Sequence, residues 1–337
     1  MNILVTGGAG YIGSHTVLVL LERGHHVVVL DNFSNSSPKV MERLESLAGQ
    51  EIQLCRIDVR DEEQVVKVLT NHSIDAVVHF GALKAVGESC TQPLAYFDNN
   101  VSGTISLLGA MRSVGVNRFV FSSSATVYGD TDQNPIPETA PRSATNPYGR
   151  SKLIIEDILQ DVCAAHPDFK AATLRYFNPV GAHPSGLIGE DPRGTPNNLM
   201  PYLCQVAVGK LAKLSVYGND YPTPDGTGLR DYLHVMDLAR AHADALDYLH
   251  TTNQSITANL GAGKAFSVLD IIQAFQLASG VEIPYEIVGR RQGDVAELYA
   301  NPDLAKALLN WQTEFDLKQM CADAWRWQSK NPKGFDP

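Results

Sequence analysis

The sequence predicts an α/β fold with a doubly wound parallel sheet, followed by a smaller, partly interleaved α/β domain towards the C-terminus. In the first half of the 337 residues, short apolar runs rich in β-branched and aromatic residues alternate with longer amphipathic stretches. This alternation is typical of a parallel sheet covered by helices on both faces. After Asn178 the alternation stops, and the segments 179–197 and 217–231 are dense in Pro, Gly, Asp and Asn. Long loops of this kind in compact proteins often carry function.

Each predicted element follows from its residue pattern. The predicted strands are 3–6, 27–30, 54–57, 76–80, 119–121, 172–177 and 257–260. The predicted helices are 12–23, 38–47, 62–72, 94–114, about 148–166, and 235–250. We expect residues 1–178 to form a first, nucleotide-binding domain to which parts of 231–262 return, and residues 179–337 to form the second domain.

Composition excludes several classes of protein. The net charge of -10, from 27 Lys and Arg against 37 Asp and Glu, argues against broad nucleic-acid binding. No apolar stretch approaches the ~20 residues of a membrane helix, and we expect no signal peptide. Five scattered cysteines favour reduced thiols and a cytoplasmic location over a disulfide scaffold or a zinc site. We therefore expect no metal, no membrane partner and no nucleic-acid partner.

A glycine-rich turn joins the first predicted strand to the first predicted helix. Gly7, Gly10 and Gly13 follow a G-x-x-G-x-x-G spacing. Gly7 permits the tight turn, Gly10 lets a pyrophosphate approach the backbone, and Gly13 allows close packing of helix and strand. The helix N-terminus adds N–H groups and partial positive charge for the phosphates. The strand, turn and helix together predict a Rossmann-type dinucleotide site.

The second and third strands end in carboxylates. Asp31 and Asn32 end the second strand, about 20 residues beyond the glycines. A carboxylate there accepts hydrogen bonds from ribose hydroxyls and repels a 2′-phosphate, which favours NAD over NADP. Asp58 follows the third strand, where it either caps a loop or meets the adenine.

A candidate catalytic group lies further along the chain. Tyr148 and Lys152 are four residues apart at the start of a predicted helix, so both side chains lie on one helix face. A neighbouring ammonium favours the phenolate and is expected to lower the pKa of Tyr148. Ser124 ends an earlier strand, and strand ends line the ligand crevice in such sheets. We expect Ser124 to bridge Tyr148 and a substrate hydroxyl.

With these residues the sequence resembles the extended short-chain dehydrogenase/reductase superfamily, and within it the UDP-glucose 4-epimerases. The resemblance covers essentially the whole chain. The matching segments are 5–15 (VTGGAGYIGSH), 83–89 (LKAVGES), 121–129 (FSSSATVYG), 175–183 (RYFNPVGAH), 196–201 (PNNLMP) and 225–232 (DGTGLRDY). Long matches of this kind are far more specific than the glycine motif alone.

The resemblance implies a mechanism and a set of contacts. It implies that hydride leaves C4 of a UDP-hexose for tightly bound NAD and then returns to the opposite face of the 4-keto sugar. Tyr148 is then the base, Lys152 sustains its phenolate and touches the nicotinamide ribose, and Ser124 bonds the 4-hydroxyl. A homodimer formed through helices 94–114 and 153–164 is also expected.

The motif and the resemblance together assign the binding residues. Cofactor contacts are expected from Gly7, Gly10, Tyr11, Ile12, Gly13, Asp31, Asn32, Asp58, Val59, Phe80, Lys84, Asn99, Ser122, Tyr148, Lys152 and Tyr176. UDP-sugar contacts are expected from Lys84, Ser124, Thr126, Tyr148, Asn178, Asn198, Leu199, Arg230, Arg291, Asp294 and Leu298. The arginines suit a diphosphate because a guanidinium binds phosphate oxygens bidentately.

The sequence departs from the family pattern at two places. Phe80, Gly81, Ala82 and Leu83 replace the commoner F-A-G-L order, and Leu298 stands where the family varies between small residues and tyrosine, beside the C2 substituent of the sugar. Leucine is intermediate in size, which favours UDP-glucose and UDP-galactose over N-acetylhexosamines.

Two alternative functions remain open. One is a related 4-epimerase acting on UDP-N-acetylhexosamine or UDP-pentose, and the other is a non-catalytic NAD-binding protein. A 4,6-dehydratase typically places an Asp-Glu pair where this chain has Ala125 and Thr126.

Overall fold

The computed structural model describes residues 1–131, 133–291 and 294–335. Its strands are β1 Asn2–Thr6, β2 His26–Leu30, β3 Gln53–Cys55, β4 Ala76–His79, β5 Arg118–Ser124, β6 Lys170–Tyr176, β7 Asn178–Val180, β8 Leu214–Tyr217, β9 Leu229–Arg230, β10 Tyr232–His234, β11 Ile256–Leu260, β12 Phe266–Ser267, β13 Tyr285–Val288 and β14 Glu297–Leu298. Its helices are α1 Tyr11–Glu22, α2 Lys39–Ala48, α3 Glu62–Asn71, α4 Val86–Thr91, α5 Pro93–Tyr96, α6 Gly103–Val114, α7 Pro147–Ala165, α8 Leu199–Ala207, α9 Val235–Thr252, α10 Val268–Ser279, α11 Asp303–Leu309 and α12 Leu317–Lys330.

A seven-stranded sheet organises the fold, in the order β3-β2-β1-β4-β5-β6-β11. Every neighbouring pair in this sheet is parallel, which confirms the predicted doubly wound Rossmann-type class. The strand order reverses between β1 and β4. In open sheets of this kind, ligands bind outside the carboxyl ends of the strands at such a switch point.

The two faces of the sheet bury separate apolar clusters. Ile3 and Val5 of β1 face a cluster that includes residues of α1 and α9, whereas Leu4 faces a cluster with residues of α3 and α6. Successive strand residues point to opposite faces, and both faces are covered by helices. This is why the strands read as continuous apolar runs rather than as an alternation of polar and apolar residues.

The part of the chain after β6 contributes to the sheet and also builds smaller sheets. Strand β11 pairs with β6 at the sheet edge, and α9 packs against α1. Shorter pairings join β7 to β10, β8 to β13, and β9 to both β12 and β14. Helices α8, α10 and α12 enclose a third apolar cluster next to these strands.

Two local differences from the predicted elements bear on the site. The predicted helix 94–114 is broken into α5, a π-helical segment Phe97–Ser102, and α6. The predicted strand 119–121 runs on to Ser124 and continues into a 3₁₀ turn, Ala125–Tyr128. Within the described ranges, no helix is both long and apolar enough to cross a membrane.

Candidate active site

The candidate site lies where the carboxyl ends of four adjacent strands meet. Thr6 ends β1, His79 ends β4, Ser124 ends β5 and Tyr176 ends β6. Thr6 is paired with His79, and Ser124 with Tyr176, in the parallel register of the sheet. The sheet therefore brings together residues that are far apart in sequence.

The glycine loop forms a cradle that side chains would fill. A Cβ on Gly7, whose φ is +67°, would lie 2.8 Å from the backbone nitrogen of Gly81. A Cβ on Gly13 would lie 2.2 Å from the Gly7 carbonyl oxygen. Gly10 caps α1 without a side-chain hydrogen bond, and the first turn of α1 has no acidic residue. The uncapped N–H groups and the helix dipole fit the diphosphate of a dinucleotide.

Asp31 is buried at the end of β2, directly beside the glycine loop. Its Oδ2 accepts a hydrogen bond from Ala9 N at 3.0 Å, and its Oδ1 accepts from Phe33 N at 2.8 Å and from Ser36 Oγ at 2.9 Å. A carboxylate offers about four acceptor positions. One position on Oδ2 is thus left over for a ribose hydroxyl, and the donor set fits a dinucleotide without a 2′-phosphate.

Asp58 caps a loop, one of the two roles that its sequence position leaves open. It accepts hydrogen bonds from Arg60 N at 3.0 Å and from Asn32 Nδ2 at 3.0 Å. The Arg60 guanidinium holds the pKa of the Asp58 carboxyl well below its usual range. Contact of Asp58 with an adenine stays a prediction.

The other predicted cofactor residues contact neighbouring loops or the apolar clusters of the sheet. The Tyr11 hydroxyl donates to the Gly181 carbonyl at 2.8 Å, and the Phe80 ring centre lies 4.6 Å from that of His242. Ile12 packs against the cluster around α1 and α9, and Val59 is buried in the opposite cluster.

Lys152 is held at the centre of the candidate catalytic group. Its Nζ donates to the Ser122 carbonyl at 2.7 Å and lies 5.9 Å from the centre of the Tyr148 ring. Only 3% of Lys152 is exposed, and burial lowers its pKa to about 7. The four-residue spacing thus places both side chains together, as the sequence predicts.

Burial is the largest influence on the pKa of Tyr148. It raises the pKa of the Tyr148 phenol, and a hydrogen bond with Ser124 offsets this in part. The sequence predicts a lowered pKa from the Lys152 ammonium. The structure differs, because burial removes the phenolate from water and so raises the pKa of Tyr148.

The 3₁₀ turn fixes Ser124 against the start of α7. Ser124 Oγ accepts hydrogen bonds from Thr126 N at 3.2 Å and Thr126 Oγ1 at 3.0 Å. A Cβ on Gly149 would lie 2.9 Å from the Thr126 carbonyl oxygen, so the turn and the helix approach closely. Between strands β5 and β6, the hydroxyls of Ser122 and Tyr176 are hydrogen-bonded to each other.

Three of the predicted UDP-sugar residues form a charged group. Asp294 Oδ1 lies 3.1 Å from Arg291 NH2 and 3.9 Å from Arg230 NH2. Leu298 pairs with Arg230 in the β9–β14 register and packs on the apolar cluster that contains Ala125. The structure therefore connects the arginines to the turn that follows Ser124.

A second group joins two further predicted contacts through a residue that sequence reasoning missed. Glu190 Oε1 accepts from Lys84 Nζ at 2.9 Å and from Asn198 Nδ2 at 3.3 Å. Asn198 is the N-cap of α8, and Leu199 is its half-buried first residue.

Two more structural residues lie outside the sequence prediction. The first is Asn100, which accepts a hydrogen bond from the predicted cofactor residue Asn99. The Asn100 side chain also bonds the N–H and the carbonyl of Leu83, and it donates to Ser151 Oγ.

The second is Asp231. Its carbonyl accepts from the backbone N–H of Asn178, and its buried carboxylate accepts from the N–H groups of residues 262, 263 and 300. Burial of a polar residue between distant segments leaves no local pattern. Asp231 lies in the matching segment 225–232, but no periodicity or motif spacing points to the role of Asp231 or of Asn100.

A dinucleotide cradle next to a buried tyrosine–lysine pair defines the extended class of short-chain dehydrogenases/reductases. Comparison with known proteins narrows this class. The GDP-mannose 4,6 dehydratase family profile matches residues 4–324. The UDP-glucose 4-epimerase of Neisseria meningitidis serogroup C is 55% identical over 336 residues, which is 99% of each chain. The chain belongs to the UDP-glucose 4-epimerase family within that superfamily.

Solved structures agree with this family. A UDP-glucose 4-epimerase from Stenotrophomonas maltophila, with bound NAD and formylated UDP-arabinopyranose, is 53% identical with a TM-score of 0.97, and 99% of each chain is covered. A UDP-glucose 4-epimerase from Bifidobacterium longum, in complex with NAD⁺ and UDP, is 48% identical with a TM-score of 0.95, covering 99% of this chain and all of the other.

Proposed function

We propose that this protein is an NAD-dependent isomerase that interconverts UDP-galactose and UDP-glucose at C4 through a 4-keto intermediate. The observation that supports this most directly is the group formed by Ser124, Tyr148 and Lys152, which lies at the strand ends beside the glycine cradle. Relatives more than half identical over the whole chain are named for this reaction.

The catalytic residues act on the proton of the 4-hydroxyl. Tyr148 takes this proton as a general base, Ser124 orients the hydroxyl, and Lys152 supplies the positive charge that the phenolate needs. Bound NAD supplies the acceptor for hydride from C4 and gives it back. Because the reaction is redox-neutral overall, the cofactor has no reason to leave, and we propose that NAD is tightly held.

The cofactor is held by the glycine cradle and by the residues around the strand ends. In this proposal Asp31 and Asn32 bind the adenosine ribose, and Tyr176 lies near the nicotinamide. The cofactor is also contacted by Phe80, Lys84, Asn99 and Ser122. Tyr11, Ile12, Asp58 and Val59 complete the binding surface.

The UDP-sugar is held by residues 179–337 together with the loops of the sheet. Arg230 and Arg291 neutralise the diphosphate. They supply positive charge locally in a chain whose net charge of -10 would otherwise repel an anionic ligand. The rest of the UDP-sugar is contacted by Asn178, Asn198, Leu199 and Thr126. Residues 1–178, with parts of 231–262, form the NAD-binding domain in this proposal.

Leu298 sets the sugar specificity in this proposal. It lies beside Arg230 and against the cluster of the 3₁₀ turn, which follows Ser124. A panel of UDP-glucose, UDP-galactose and their N-acetyl counterparts, compared between wild type and Leu298→Cys, tests it. We expect the variant to gain activity on the N-acetylated sugars, and an unchanged ratio of kcat/KM between the two sugar classes would contradict the assignment.

Assembly and location complete the proposal. We propose a homodimer in the cytoplasm. Leu94 of α5 is 81% exposed and Ile105 of α6 is 52% exposed, so an apolar face is available on this helix segment. Sedimentation of the purified protein decides between monomer and dimer.

The test of the reaction is incubation of the purified protein with UDP-galactose. UDP-glucose should form, and Tyr148→Phe should lose a factor of about 100 to 10,000 in turnover because the base is gone. The variant should still contain NAD, which serves as its folding control. Bound NAD without interconversion in the wild type would favour the non-catalytic alternative.

A further inference from the structure

A buried carboxylate lies directly behind the candidate catalytic group. Glu156 is on α7, four residues after Lys152, and is 2% exposed. Residues four apart share a helix face, so Glu156 follows Lys152 along the side of α7 that packs on the sheet. Neither the motif nor the proposed chemistry uses it.

Glu156 ties α7 to the end of β5. Its Oε1 accepts a hydrogen bond from Ser123 Oγ at 2.5 Å. Ser123 stands between Ser122, whose carbonyl accepts from Lys152, and Ser124. The carboxylate therefore sets how the strand that carries Ser124 lies against the helix that carries Tyr148 and Lys152.

The same carboxylate also holds the neighbouring strand β6. The Arg175 guanidinium donates to Glu156 Oε1 through Nε at 2.9 Å and to Oε2 through NH2 at 2.6 Å. Arg175 directly precedes Tyr176, whose hydroxyl bonds Ser122. Arg142 NH1 also donates to Oε2, at 3.1 Å. One side chain thus connects α7, β5 and β6 at the level of the catalytic residues.

Stability alone does not account for this arrangement. The attraction within a buried ion pair is largely offset by the free energy needed to remove both charges from water. A protein in which apolar residues of similar volume replace the pair is often as stable. The geometry of several fixed hydrogen bonds is what apolar residues do not supply.

We infer that Glu156 is a positioning residue for epimerisation: through Ser123 it aligns Ser124 with Tyr148 and Lys152. This inference rests on the proposed function. The carboxylate also favours the charged form of Lys152. Among the other ionisable groups, Arg142 and Arg175 lie beside Glu156, and Tyr128 bonds Arg175. Tyr148 and His79 lie around Lys152, and Tyr176 interacts with Tyr148.

The test compares Ser123→Ala, Glu156→Gln and the matched control Asp157→Asn with wild type. Asp157 is the next residue on α7, and its side chain is 55% exposed. Its Oδ1 pairs with NH2 of the same Arg142 whose NH1 bonds Glu156. We measure kcat and KM for UDP-galactose, NAD content per chain, and the pH profile of kcat. Glu156→Gln should lower kcat on the order of 100-fold through misalignment, Ser123→Ala should lower it less, and Asp157→Asn should not change it.

The remaining readouts separate positioning from a merely structural role. In both test variants KM and NAD content should stay at the wild-type values. In Glu156→Gln the alkaline fall of kcat should move to lower pH, because Lys152 loses its proton more readily without the carboxylate. If Glu156→Gln does not fold, Ser123→Ala alone decides.

Two results overturn the inference while the proposed function stands. The first is a wild-type kcat in Ser123→Ala or Glu156→Gln. The second is a fall of kcat that comes with lost NAD or with an equal change in Asp157→Asn. A wild-type protein that does not convert UDP-galactose contradicts the proposed function instead.

Discussion

Gly13 occupies a position in α1 that no other residue fits. Its added Cβ would lie 2.2 Å from the Gly7 carbonyl oxygen, so Gly13→Ala must push the glycine loop away from the helix. We expect a destabilisation of about 1–3 kcal/mol and loss of most bound NAD. Urea unfolding and NAD content measure the two effects.

Gly81 provides the matched control at the residue scale. A Cβ there would lie 3.4 Å from Thr6 Oγ1, an ordinary contact, so Gly81→Ala should keep stability and NAD content near wild type. This substitution also places alanine where the commoner family order has it. Equal losses in Gly13→Ala and Gly81→Ala would contradict the role assigned to the loop.

Residues whose chemistry depends on local spacing could be predicted from the sequence. The glycine turn and the Tyr148–Lys152 pair each lie within eight residues, and the structure places both as expected. Glu190 and Asp231 could not be predicted, because their partners are distant in the chain and only the tertiary fold brings them together. The raised pKa of Tyr148 also escaped prediction, since burial is a property of the folded molecule.

At the scale of elements, the break between α5 and α6 is the most informative difference. Amphipathic periodicity predicts one helix over 94–114, but residues Phe97–Ser102 are π-helical. Such segments often occur at functional sites. Here the π-helical segment carries Asn100, which holds Leu83 of the loop after β4 and Ser151 of α7.

Asn100→Ala tests the contribution of this segment. The substitution removes the partner of the half-buried Leu83 backbone groups and of the buried Ser151 hydroxyl, which should cost roughly 1–3 kcal/mol. It also frees α7 from the loop, so kcat should fall. Unfolding free energy and turnover are the measurements, and Asn71→Ala on the exposed end of α3 is the control. A stability equal to that of the control would refute the proposed link.

At the scale of the whole molecule, buried histidines govern the response to acid. Burial lowers the pKa of His15 and His79 to about 3 and that of His242 to about 4. The unfolded chain takes up these protons near pH 6.5, whereas the folded chain resists them. The stability they contribute is therefore complete above about pH 6.5 and is lost as the pH falls towards 3–4.

His79→Gln should flatten this pH dependence. Each buried neutral histidine contributes about 2 kcal/mol to the difference in unfolding free energy between pH 7 and pH 5. Urea unfolding of the variant should show a difference smaller by this amount, with His250→Gln on the exposed end of α9 as the control. Parallel pH profiles for wild type and His79→Gln would rule out this origin of acid sensitivity.

The central sheet could be predicted at this scale, and the later part of the chain only coarsely. Alternating strand and helix patterns specify the parallel sheet, including the return of the predicted strand 257–260 as β11. Strands such as β9 and β14 have two residues each and form only by pairing within the three-stranded sheet β12-β9-β14. Segments this short carry no periodicity, so their place beside Arg230 emerges only in the fold.

The central claim is that hydride leaves C4 and returns to C4 within one closed site. The most direct measurement is conversion of UDP-galactose by the purified protein in deuterium oxide, followed by NMR of the sugar in the product. We predict that UDP-glucose forms with ordinary hydrogen at C4, because hydride does not exchange with water. Deuterium at C4, or no UDP-glucose at all, would contradict the account.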